Sequence, residues 1–395
     1  MSTLLSQSAA VIKMNIQSLP RRLWMSLAMV FASAVVVAIL LAFLAMSKGF
    51  EATMESAGSD NVAFFIRTGS AAELNSSAGR DQVNLIENAP GIKRDEQGPM
   101  VSPELYVIVD GIKKSTQQEA NLPLRGLDQR GVNMRKGFTL IAGRMFNPGT
   151  DELIVGAGVI SQFDGFELGQ EIRFGKNTWK VVGVFSTGGN VFESELWADA
   201  KVIQNLYNRG SSYQSVRAVM ESPDSLGAIN EYLKSEPRLT HEAQAESSYF
   251  AEQGKSLSYM AIFGWVISSI MALGALAGAL NTMYTSVSDR AMEIATLRAI
   301  GFSSFSAFIG TMAEAMTLAV LGSLVGSLAA YIFFDGLSTS TLGGSFTQVV
   351  FSFKLTPELF MNGITLALII GFVSGFFPAW RAARVPVIVA FQSGR

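Results

Sequence analysis

Leu23 to Met46 reads LWMSLAMVFASAVVVAILLAFLAM, 24 residues without a charge. As a helix rising 1.5 Å per residue it is roughly 36 Å long, enough to cross a hydrocarbon core of about 30 Å with some tilt. Arg21 and Arg22 precede it and small residues follow, as in a secretory signal. The apolar run is too long for a signal core of roughly 7–15 residues, so it reads as an uncleaved anchor.

Outward from this run, three more segments of the same kind appear. Residues 257–284 and 359–380 are uncharged, and 305–334 carries one charge, Glu314. Apolar residues make up 49% of the chain and charged ones 16%, and the charges concentrate between the first two runs. That pattern is four membrane spans with one large water-exposed domain at 47–256. Lys and Arg in the short flanks set the orientation. The N-terminal segment 1–22 has Lys13, Arg21 and Arg22; the 285–304 loop has Arg290 and Arg298; the tail 381–395 has Arg381, Arg384 and Arg395; the 335–358 loop has only Lys354. Both termini and the 285–304 loop are therefore expected in the cytoplasm, with 47–256 and 335–358 outside.

Within 47–256 two textures alternate. Near its ends, Val62 to Ile66, Tyr106 to Val109, Ser215 to Met220 and Leu239 to Ala243 read as strands, with helices at Asp81 to Asn88 and Ser225 to Lys234. In the middle, Glu152 to Val155, Gln170 to Phe174 and Trp179 to Phe185 are short β-rich runs between glycine and asparagine turns. The expectation is an α+β domain in which a β-rich insertion interrupts an α/β lobe. Residues 243–256 are expected to continue as a helix into the second span.

Catalytic chemistry is hard to find. The one histidine, His241, has no metal-spaced partner and reads as a surface or strand-end residue. No GxSxG elbow surrounds any serine. Gly254-Lys255-Ser256 resembles the end of a phosphate loop, but Tyr249 stands where that loop needs glycine. The absence of cysteine excludes disulfides and thiolate sites, and a net charge of −2 gives no reason to expect nucleic acid as a partner. Asn75-Ser76-Ser77 fits a glycosylation sequon of little specificity. No catalytic, cofactor or metal site is expected.

Two features of the spans remain. Gly274 with Gly278, Gly322 with Gly326, and Gly371 with Gly375 are small-xxx-small pairs, serving packing within one bundle or, for one pair, a subunit interface. Glu314 is an ionisable group inside a span, which is costly and marks either a functional site or a hydrogen bond between helices.

The loop from Met283 to Phe305 is the most specific stretch. Val287, Ala291, Ile294 and Arg298 share a helical face, Leu297 adds apolar surface, Asp289 and Glu293 form an i, i+4 pair, and Glu293 can reach Arg290. Gly301 ends the helix. Such a helix could lie on the membrane or dock in a partner. The run Ser286 to Gly301 resembles the SVxERxxEIGxLRAxG signature of the MacB/FtsX-like ABC transporter permeases. Glu314-Ala315 with Gly322 and Gly326 resembles the family's third span. Phe377 to Val387 is similar to its PAxRAARxxPxxAL ending. Asp289 stands where the family usually has Glu, Ala295 where it often has Gly, and Val385 where an Asp usually precedes Pro386.

The resemblance implies a type VII ABC machine whose ATPase is a separate chain, with ATP and Mg bound there and not here. It implies a porter-like α/β lobe with a β-rich insertion as the periplasmic core. The 285–304 helix, through Val287, Asp289, Arg290, Glu293, Ile294, Leu297, Arg298 and Gly301, would couple to the ATPase. It also implies a bacterial inner membrane, a dimer with a second copy or a paralogue, and in some members a periplasmic adaptor and an outer-membrane channel. The expected activity is efflux or extraction by mechanotransmission. The alternatives are a transducer that activates an extracytoplasmic enzyme, or a receptor without an ATPase.

Overall fold

The structure, a computed structural model, describes residues 2–384. Arg395 and the Val385-Pro386-Val387 ending lie outside the described residues, and so does the side chain of Arg21. The chain divides into a membrane unit (1–48, 259–337 and 353–395) and an outer unit (49–258 and 338–352).

Among the described residues, four helical stretches are long and apolar enough to cross a membrane: Leu23–Glu55, Glu246–Asp289, Ser304–Phe334 and Pro357–Ala383. Each is longer than the apolar run it contains. The helix expected from residue 243 starts later: Ala243 to Ala245 end the strand His241–Ala245, and the helix Glu246–Gly254 and a 3-10 turn, Lys255–Leu257, then lead into the second span. The N-terminal segment, read only as a flank, is itself a helix, Ser2–Ser18.

In the membrane unit, Val36, Val37, Leu40, Leu41 and Leu44 of the first span pack with Leu366, Ala367 and Ile370 of the fourth. Glycine sets the closest approaches. A Cβ on Gly322 would lie 2.7 Å from Ser33 Cβ, and one on Gly326 would strike the backbone of Ala34. Added Cβ atoms on Gly371 and Gly375 would lie 2.6 Å from the Cβ atoms of Ala319 and Ala315. These four glycines therefore pack the third span against the first and fourth. Gly274 and Gly278 differ: no atom outside their own helix lies within 4 Å of an added Cβ.

The outer unit is built on an eleven-stranded sheet. Along its main path the strands run His241–Ala245, Val62–Arg67, Ser215–Val219, Val101–Lys113, Glu119–Leu127, Leu196–Asp199, Glu152–Gly156, Asn177–Ser186 and Thr139–Gly143. The β-rich middle is thus no separate sheet. The 13-residue strand Val101–Lys113 joins the halves: Val101 to Glu104 pair with Ala218 to Ser215, and Leu105 to Ile112 pair with Gly126 to Glu119. Each half keeps its own apolar core. One gathers Phe65, Val83, Ile86, Val216, Ile229 and Leu233; the other Leu122, Leu124, Val155, Phe163, Trp179 and Leu196.

The 335–358 segment, read as a short loop, contains a hairpin of Ser338–Leu342 and Gln348–Ser352 that belongs to the outer unit. Val350 joins the second core, its N–H donates to Ser194 Oγ at 2.8 Å, and Thr347 Oγ1 lies 2.9 Å from Tyr106 Oη. Val349, Val350 and Phe351 follow one another and are all buried, the continuous apolar run of a strand covered on both faces.

Candidate functional site

The loop helix and Glu314 come together in the membrane unit. The long helix Ser258–Asp289 stops, Arg290 takes a non-helical corner (φ −99°, ψ 9°), and a second helix runs Ala291–Ala299. Glu293 lies in its first turn and Arg298 in its last, matching the helix dipole. Its end is a Schellman motif: Gly301 adopts φ +104° and donates to Arg298 O at 3.2 Å, while Phe302 N–H donates to Leu297 O at 3.0 Å. Only glycine takes that backbone without strain, so Gly301 ends the helix as its position suggested.

Arg290 is buried and does not act as a surface contact of the loop. Its Nη2 pairs with Glu314 Oε2 and donates to Ser286 Oγ at 3.3 Å. Ser286 Oγ donates to Glu314 Oε1 at 3.3 Å, and Arg22 Nη1 donates to Ser286 O at 2.7 Å and to its Oγ at 3.0 Å. The expected reach of Glu293 to Arg290 is replaced by this pairing. A carboxylate inside a span is tolerated when a cation and hydrogen bonds neutralise it.

Beside the pair lies a cleft lined by Val287, Arg290, Glu293, Ile294, Leu297, Arg298 and Glu314, closed on one side by Val11 and Asn15 of the N-terminal helix. That helix also meets the start of the third span: Ser303 N–H donates to Gln7 Oε1 at 3.1 Å, and a Cβ on Gly310 would collide with Val11. Val287 is buried, Ile294, Leu297 and Arg298 are half-buried, and Asp289, Met292, Glu293, Thr296 and Ile300 face outward.

Two family descriptions match the chain: MacB-like periplasmic core domain over residues 25–236, more than half its length, and FtsX-like permease C-terminal over 265–387. The chain belongs to the MacB/FtsX-like family of ABC transporter permeases. This permease is 20% identical over 315 residues to an uncharacterized ABC transporter permease of Methanocaldococcus jannaschii, covering 78% of this chain and 77% of that one. It is 25% identical over 337 residues to the macrolide export ATP-binding/permease protein MacB 1/2 of Paracoccus denitrificans, covering 80% of this chain and 48% of that one. The permease thus spans about half the length of the MacB relatives it matches. The periplasmic region of MacB from Actinobacillus actinomycetemcomitans aligns with 49% of this chain and 92% of that region, at 16% identity and a TM-score of 0.37.

The permease holds a second charged centre that its sequence did not announce. Arg125, Arg135, Arg217, Glu73, Glu104, Glu195 and Glu246 are all buried in the outer unit. Arg125 donates to Glu195 from Nε and Nη2 at 2.7 Å each, to Glu73 at 2.6 and 3.0 Å, and to Glu104 at 2.9 Å. Arg135 Nη2 reaches both oxygens of Glu104 at 2.8 and 2.6 Å. Arg217 bonds Glu104 through Nη1 and Glu246 through Nε, the latter at 2.8 Å. The Phe192 ring lies 4.6 to 5.9 Å from all three guanidinium carbons. Burial alone would raise the Glu73 carboxyl, but Arg125 and Arg217 hold it at about 2. Burial likewise opposes ionisation of Glu104, and Arg135, Arg217 and Arg125 hold it below its ordinary value. Glu104 is the residue at which Val101–Lys113 passes from one half of the sheet to the other.

His241 does open its strand, but it is buried rather than on the surface. Its Nε2 lies 3.1 Å from Ser77 O, and burial pushes its pKa down.

Proposed function

We propose that this permease is the transmembrane subunit of an ABC transporter whose ATP-binding subunit is a separate chain holding ATP and Mg. The Ala291–Ala299 helix docks on that subunit, and the nucleotide-driven motion passes mechanically to the outer unit for efflux or extraction of a substrate. The observation that carries this reading is the two-sided loop helix. Its inner face is seated against the N-terminal helix and the third span, Glu293 stands exposed at the rim of the cleft, and Asp289, Met292 and Ile300 stay outside. A helix resting only on lipid would turn one apolar stripe outward; this face mixes carboxylates with methionine and isoleucine, as a docking surface does. Relatives named for macrolide export and pyoverdine export support the efflux direction.

The permease lies in the bacterial inner membrane with both termini in the cytoplasm, a reading supported for the orientation by Arg22, Arg290, Arg298, Arg381 and Arg384 in the short flanks of the spans. The vacant Gly274–Gly278 face is the interface for a second permease copy or a paralogue, since helices in lipid associate through such close approaches.

The test is a mild-detergent pull-down from native membranes with Asp289→Lys/Glu293→Lys as the comparison. A stoichiometric ATP-binding subunit is expected with the wild type and roughly tenfold less with the variant. An adaptor or outer-membrane channel in the same eluate would identify the export branch. Recovery of the permease without any ATPase would overturn the reading in favour of a receptor.

A further inference from the structure

We infer that Glu314 and Arg290 are positioning residues that set the angle at which the loop helix leaves the second span. This inference rests on the docking role proposed for that helix. Arg290 is both the corner residue between the helices Ser258–Asp289 and Ala291–Ala299 and the partner of Glu314 on the third span. A corner held only by backbone can pivot, because the chain makes no regular helical bonding through it. Here the guanidinium is held from outside its own helix by the Glu314 carboxylate and the Ser286 hydroxyl, and Arg22 at the foot of the first span fixes Ser286 in turn. Three spans thereby converge on one hinge residue.

Packing alone does not account for this choice of side chains. Replacing a buried ion pair by apolar residues of similar volume is often neutral or stabilising, and the best-attested use of such pairs is to specify one arrangement among several. An apolar pair at 290 and 314 would fill the space without dictating a direction. The Arg290–Glu314 pair is directional because Nη2 donates both to Glu314 Oε2 and to Ser286 Oγ, along lines that the guanidinium plane fixes.

The chain has no cysteine, so introduced cysteines can be spin-labelled without background. Labels at Thr296 and Leu324, both exposed, report the angle between the loop helix and the third span. In nanodiscs, the wild-type background is expected to give one narrow distance distribution. Arg290→Leu/Glu314→Leu is expected to broaden it at least twofold while keeping the thermal midpoint of the wild type. Arg290→Lys, which keeps the charge and loses the fork, is expected to broaden it less, and it serves alone if the double variant does not fold. ATP turnover of the co-purified ATPase should fall about tenfold in the double variant. A narrow distribution and unchanged turnover in both variants would overturn the inference. If no ATPase accompanies the wild type, the docking role fails, and the label distances still decide whether the pair fixes the corner.

Discussion

The outer unit and the membrane unit both bury guanidiniums against carboxylates, but at different density. In the outer unit three arginines and four glutamates share one site, stacked on Phe192 and hydrogen-bonded to Ser215 and Trp197. In the membrane unit the buried Arg290–Glu314 pair has one serine and a second arginine behind it. In the outer unit Glu73, Glu104 and Arg125 each meet two or more opposite charges, which offsets their loss of water. Arg290 and Glu314 line a cleft where the second span meets the loop helix, and there one opposite charge with the Ser286 hydroxyl neutralises the pair.

The comparison can be broken most directly at Arg125, which bonds three of the four glutamates. Arg125→Leu strands those carboxylates and is expected to cost about 3–5 kcal/mol. Chemical denaturation followed by fluorescence of the buried Trp197 measures it. A loss under 1 kcal/mol would mean that the cluster reorganises freely and is no denser in effect than the membrane pair.

Glu314→Gln keeps a hydrogen-bonding group of the same size and removes the charge. It is expected to cost about 1–3 kcal/mol, less than the Arg125 change, because one cation that keeps an amide oxygen and the Ser286 hydroxyl as acceptors, rather than three carboxylates, loses its counter-charge. Thermal denaturation in nanodiscs checks the order, and a larger loss than for Arg125→Leu would invert the comparison.

A third effect is in pH. The Glu73 carboxyl is lowered in the folded state from 4.5 to about 2, so its contribution is present above about pH 4.5 and is lost as the pH falls toward 2. Stability measured by denaturant midpoint should therefore not decline through the Glu73 carboxyl between pH 7 and 5, and should fall below 4.5. Glu73→Gln should flatten the acid side of that curve.

The spans were legible because uncharged runs over 20 residues have few other uses. Gly301 was legible too, since a glycine after a cationic last turn has one common meaning. The role of Arg290 was not. Its spacing to Glu293 satisfied a helical rule, and nothing local shows that the helix breaks at Arg290 and turns its side chain toward residue 314. The outer cluster was hidden for a similar reason. Arg125 and Arg217 stand alone in apolar runs, and Glu73, Glu104 and Glu195 lie tens of residues from them, so no local motif joins these charges. Only the passage of Val101–Lys113 between two half-sheets brings them together, and pairings across more than a hundred residues leave no periodic trace. The N-terminal helix, with Lys13 as its one charge, and the 338–352 hairpin were missed as short stretches between stronger signals.

That hairpin bears on how the outer unit would behave if cut free. A fragment of residues 49–258 looks like a natural excision, yet it lacks Val350 and the Thr347 hydroxyl. Ser194 Oγ would lose the N–H it accepts, and the apolar slot beside Val159 would open to solvent. The excised piece would carry an exposed apolar groove shaped for that hairpin, which makes it adhesive toward itself. A free peptide of residues 338–352 would be its natural plug.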